Sequence, residues 1–90
     1  MKNVIVHPRV HEHHPNISEE DVLAAWHNVL LSAQRDNGTG AWVSIGMDGN
    51  GRLLEMVSVH NGSGQWLIYH AMTPPTKKTM KELGAVRRKS

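Results

Sequence analysis

A chain of ninety residues with a net charge of +2 and no cysteine has room for one domain and one core. The lack of cysteine excludes disulfides, thiolate zinc sites and thiol nucleophiles. Apolar runs such as Val4 to Val6 are far too short to span a membrane, and the Met-Lys-Asn start lacks the apolar core of a secretory signal. The expected location is therefore the cytoplasm, with no membrane partner.

Along the chain, Val4-Ile5-Val6 reads either as a short strand or as a tie for the N-terminus. Pro8 suits a first helical position, which predicts two helical turns to His14 before Pro15 stops them. Ser18 is a good N-cap, with Glu19, Glu20 and Asp21 in the first turn and Ile17 and Val22 placed for a hydrophobic staple. Val22, Leu23, Trp26, Val29 and Leu30 recur at helical spacing, predicting a helix over residues 19–32.

After a loop from Arg35 to Gly40 come three strand-like runs, Ala41–Met47, Arg52–His60 and Gln65–Met72. The breaks, Asp48-Gly49-Asn50-Gly51 and Asn61-Gly62-Ser63-Gly64, are hairpin chemistry. Pro74-Pro75 then opens a last helix over about residues 75–83, with Gly84 as its stop. The predicted fold is α+β: N-terminal helices packed on a three-stranded antiparallel meander, with a short C-terminal helix. All of residues 1–90 form one domain, with 85–90 a frayed basic tail.

If each four-residue linker closes as a tight turn, Met47 faces Arg52 and His60 faces Gln65. Alternation then assigns Val43, Ile45, Met47, Leu54, Met56, Leu67, Tyr69 and Ala71 to the core face. The other face collects Trp42, Trp66 and Ile68 as an apolar patch, predicted to bind a partner protein or a second copy. Across that face Ser44, Glu55 and His70 form a polar row. It is no serine triad, because Glu55 rather than the imidazole stands in the middle.

Seven histidines are many for this length. His7, His11 and His14 fall near one face of the first predicted helix, a spacing that can hold zinc or nickel or can simply be a solvated face. Imidazoles carry protons near neutral pH, so His14 and His70, the latter beside Glu55, are candidates for acid–base work on a phosphodiester. Charge is uneven. Residues 1–73 carry four Lys or Arg against seven acids, whereas 74–90 carry six against Glu82 alone. Lys77, Lys78, Arg87 and Arg88 thus suit an anionic partner, either RNA or an acidic protein.

The segment His14-Pro15-Asn16-Ile17-Ser18-Glu19-Glu20-Asp21-Val22 resembles the Lys-His-Gly-(Val/Ile)-Ser stretch of BrnT-type toxins of the RelE superfamily. Gly51-Arg52-Leu53-Leu54-Glu55-Met56-Val57 resembles their Gly-Arg-entered strand. Ile68-Tyr69-His70-Ala71-Met72-Thr73 resembles the strand that usually reads Ile-Ser-Ala-Arg-x-Ala-Thr before a final basic helix. The resemblance implies a RelE-like fold, RNA cleavage without metal or other cofactor, and silencing by a DNA-binding antitoxin. It also implies roles by position: His14 matches the family histidine and Arg52 the strand-entry arginine, with Arg52, Lys77 and Lys78 as phosphate contacts. Met72 stands where the family has its later arginine, and His70 where it has serine. That departure implies weak, altered or absent cleavage unless His70 compensates.

Overall fold

The computed structural model describes residues 3–36 and 38–84, so Lys2 and the basic tail at 85–90 lie outside the described residues. Eight elements follow one another: β1 (Val4–Val6), α1 (Arg9–His13), α2 (Glu19–His27), β2 (Val29–Gln34), β3 (Trp42–Met47), β4 (Leu53–His60), β5 (Trp66–Met72) and α3 (Lys77–Glu82). The strands form one mixed sheet in the order β1-β5-β4-β3-β2, with β1 parallel to β5 and every other pair antiparallel. This overturns the three-stranded expectation. The three predicted strands are the middle of a five-stranded sheet, which gains an edge strand on each side.

The largest departure is at residues 29–34. Helix α2 starts as its residues dictate: Ser18 and Asp21 form a reciprocal capping box, and Ile17 and Val22 are fully buried beside it. It ends at His27, where the Asn28 N–H bonds the Ala24 and Ala25 carbonyls and its Nδ2 bonds Ala24 again. Val29 and Leu30 fit helical spacing, but with Leu31 they are also an apolar run beside an open edge of β3. Pairing with β3 satisfies that edge, so the sheet outcompetes a longer helix. Leu30 is the extra residue of a bulge between Val29 and Leu31.

Both hairpins close one residue tighter than expected. Asp48 N–H bonds the Arg52 carbonyl and Asn61 N–H bonds the Gln65 carbonyl, leaving three-residue loops with Gly51 at φ +80 and Gly64 at φ +86. The Asp48 and Asn61 side chains each accept two backbone N–H groups inside their loop, which sets this closure. Met47 therefore faces Leu53 rather than Arg52, and β3 turns over relative to β4. Ser44 joins Leu54 and Met56 on the side facing α2, while Val43 and Ile45 join Glu55 and Val57 on the far side.

The core lies between the sheet and the N-terminal helices. Val10, Ile17, Val22, Ala25, Leu54, Met56, Ile68 and Ala71 form it, with Val4, Val6 and Trp26 at its margin. Gly46 lets α2 lie directly on β3, because a Cβ there would collide with the Ala25 carbonyl oxygen. On the far face α3 begins at Lys77, capped by Thr76 directly after Pro74-Pro75, and stops before Gly84 at φ +73. No helix among the described residues is long and apolar enough to cross a membrane.

Candidate active site

Glu55 is buried at the centre of the far face, and strand geometry makes it a receptor. Its Oε1 accepts the Thr76 N–H and the Thr76 hydroxyl, each at 2.9 Å, and its Oε2 lies 3.0 Å from His70 Nε2. Burial pushes the Glu55 carboxyl up. The Thr76 N–H, the Thr79 hydroxyl, His70 and the Thr76 hydroxyl together outweigh that and hold it below the usual carboxylate range. An ionised carboxylate only accepts, so His70 Nε2 carries the proton and Nδ1 is the acceptor nitrogen of the neutral ring.

His70 reaches Glu55 through two one-residue register changes that add, so that together they restore its face. The tight turn at 61–65 shifts pairing by one residue, so Trp66 and Ile68 fall on the side facing α2. A bulge at Tyr69 shifts it by one residue more, which returns His70 to the far face, opposite Val57, with Met72 opposite Glu55. The expected row is thus broken. Glu55 and His70 meet, whereas Ser44 lies across the sheet, its hydroxyl 3.1 Å from Ser32.

α1 brings the remaining groups. The His14 ring stands edge-on to His70 with centroids 6.2 Å apart. A cleft of about 330 Å³ joins Arg9, His13 and His14 with Glu55, Tyr69 and His70, and Arg35 from the end of β2 completes its rim. Arg35 is held by Glu82 of α3 at 3.1 Å, and the Arg9 guanidinium has no partner among the described residues. These two arginines supply the positive charge that the sequence does not assign to this face. Arg9 and His13 at i and i+4 were the available signal; Arg35 sat in a segment read as loop.

Several expected roles fail on geometry. Arg52 is engaged within the fold, bonding Asp48 at 2.8 Å, the Asn16 carbonyl at 3.0 Å and Asp21 at 3.0 Å. Trp42, Trp66 and Ile68 form no bare patch: Ile68 is in the core, and Trp66 packs on Trp26 with centroids 5.6 Å apart. His7, His11 and His14 do not converge. His7 lies outside α1 and accepts the Arg9 N–H, and His11 Nδ1–H donates to the Ile17 carbonyl. Among the described residues no group of three or more histidines and carboxylates is placed to hold a metal ion. Lys77 and Lys78 are exposed on α3, and Lys78 shares a shallow cleft with Arg35 and Glu82.

Comparison with family models, curated proteins and solved structures gives no match.

Proposed function

We propose that this chain is a toxin-like, RNA-directed protein that cleaves phosphodiesters through paired imidazoles. The observation that carries this is the His70–Glu55 hydrogen bond of 3.0 Å, with the His14 ring beside it in a cleft rimmed by Arg9 and Arg35. RNA cleavage needs a base, an acid and positive charge, and the cleft holds side chains for each. His70 Nδ1 takes the 2′-hydroxyl proton while Glu55 stabilises the resulting imidazolium. The 2′-oxygen then bonds phosphorus, the bond to the 5′-oxygen breaks, and His14 protonates that leaving oxygen. Arg9, with no other partner among the described residues, faces the charge that develops on phosphorus, and Arg35 supports it.

The resemblance to BrnT-type toxins supports the same reading. In that family an arginine stands where this chain has Met72, directly opposite Glu55. Here Arg9 and Arg35 supply that cation from neighbouring elements. In this reading an antitoxin silences the chain by covering the open cleft.

Purified protein incubated with RNA in the presence of EDTA should yield 2′,3′-cyclic phosphate and 5′-hydroxyl ends. His70→Ala should slow the reaction by about 10² or more, the usual scale for a lost acid or base. Failure of the folded protein to cleave, or full activity in His70→Ala, would overturn the proposal.

A further inference from the structure

The side of the sheet facing α2 carries a second cleft, of about 320 Å³, that the cleavage chemistry does not use. Trp26 of α2, Trp42 of β3 and Trp66 of β5 line it, and these are all three tryptophans of the chain. The indoles are not stacked in parallel: Trp66 is tilted 58° to Trp26 and stands at 81° to Trp42, with centroids 5.6 and 6.0 Å away. Val29 and three serines complete the lining, the serines being Ser32, Ser44 and Ser58, one from each of β2, β3 and β4.

Two of those hydroxyls satisfy each other, Ser32 to Ser44 at 3.1 Å. Ser58 is different. Its residue is 1% exposed and its Oγ is the buried side-chain polar atom left without a hydrogen-bond partner among the described residues. Burying an unpaired hydroxyl is unfavourable, and alanine at this strand position would avoid the penalty. A lone hydroxyl on the wall of an aromatic cleft is placed to bond something that enters it.

We infer that this cleft binds one planar heteroaromatic ring of the nucleobase kind, packed against the indoles and bonded at its edge by Ser58. Indole surfaces favour a π face over an aliphatic one. Among the described residues no charged side chain lines the cleft, so neither a phosphate nor an ammonium group has a counterion among them there. A hydroxyl can donate to a ring nitrogen or carbonyl or accept from an exocyclic amine, whereas a hydrocarbon ring would leave it unpaired. The volume is at the small end for ligand pockets, which fits a single ring with its sugar and not a chain of them. The inference stands independently of the cleavage reading, since the two clefts lie on opposite sides of the sheet.

Intrinsic fluorescence reads the site directly, because every tryptophan lines it. Titration of the full chain with adenosine, which carries no phosphate, should give a saturable change. Cyclohexanol, an aliphatic ring with a hydroxyl, should bind at least about tenfold more weakly, since it lacks a stacking face. Ser58→Ala should be as stable to urea as the parent or more so, yet bind adenosine about tenfold more weakly. Trp42→Leu should weaken binding by about tenfold or more through lost stacking, which gives a second reading should Ser58→Ala fail to fold. A change that never saturates, equal affinity for cyclohexanol, or undiminished adenosine affinity in the folded variants would overturn the inference.

Discussion

At the scale of single residues, the decisive feature is which polar groups the fold consumes and which it leaves for chemistry. Arg52 is consumed. Its guanidinium ties the 48–52 turn to the first turn of α2, and Asp48, fully buried at its side chain, depends on it. Arg52→Ala should therefore lower the unfolding free energy by about 3 kcal/mol, since it removes the cation from a buried carboxylate and leaves its Oδ2 unpaired, while leaving the salt dependence of RNA binding unchanged. A urea melt showing less than about 1 kcal/mol would refute the clamp. Glu55 serves both the fold and the site. Burial raises the carboxyls of Asp48 and Glu55, but the hydrogen bonds each accepts win, so both lie below their ordinary values of 3.8 and 4.5. In acid the unfolded chain then binds more protons than the folded one. The stability they contribute is complete above about pH 5 and is lost as pH falls through the folded values. Glu55→Gln should accordingly flatten the fall in the urea midpoint between about pH 5 and pH 3, a slope that an unperturbed Glu55 would not change. Alternation along β4 and β5 predicts the shared face of Glu55 and His70, and the two do share it. The reason is a one-residue turn shift followed by a second at the Tyr69 bulge, which together restore the face, and a bulge leaves no signal in residue type.

At the scale of elements, the legible parts are those whose signals are local. The Ser18 cap, the two glycine-rich turns and the Gly84 stop each carry their own chemistry, and all four fall in the segments that carry it, both turns closing one residue tighter than expected. Residues 29–34 are different, because Val29 and Leu30 satisfy helical spacing and also belong to a short apolar run that suits a strand. Only the open edge of β3 decides between them, and that edge exists only once the meander has formed. Parity failed for the same kind of reason. One residue in loop closure turns a whole strand over, which moved Ser44, Trp66 and Ile68 to the side facing α2. The contact between α2 and β3 offers a sharp test. In most strands Gly→Ala would stabilise by roughly 0.5–1 kcal/mol. At Gly46 the added methyl meets the Ala25 carbonyl oxygen and must push the helix off the sheet. Gly46→Ala should instead destabilise by about 3 kcal/mol or prevent folding. A stabilised variant in thermal melts would show that α2 does not sit on β3 as described.

At the scale of the whole molecule, charge is separated along the chain, with a net −3 over residues 1–73 and +5 over 74–90. The fold brings the start of the basic segment to the cleft that holds Glu55 and His70. α3 is fastened to Glu55 through Thr76 and to Arg35 through Glu82, which holds exposed Lys77 and Lys78 near a rim that already carries Arg9 and Arg35. Under the proposed RNA-directed reading, a single strand enters the cleft with its backbone following these cations. Affinity should then fall steeply with salt, because each neutralised phosphate releases counterions. For single strands the logarithmic slope changes by about 0.7 per phosphate contact. Replacing Lys77 and Lys78 with Gln should flatten it by about 1.4 if both touch phosphates. Adding Arg87→Gln and Arg88→Gln, beyond the described residues, should flatten it further. Arg9→Gln should behave differently: it faces the reacting phosphorus, so it should depress cleavage at saturating RNA as well as affinity. Filter-binding titrations across a salt series, paired with single-turnover cleavage, separate the two effects. A salt-independent affinity, or a slope unchanged when the α3 lysines are neutralised, would remove RNA as the partner of this basic segment. Docking of an acidic protein partner would then account for the same charges.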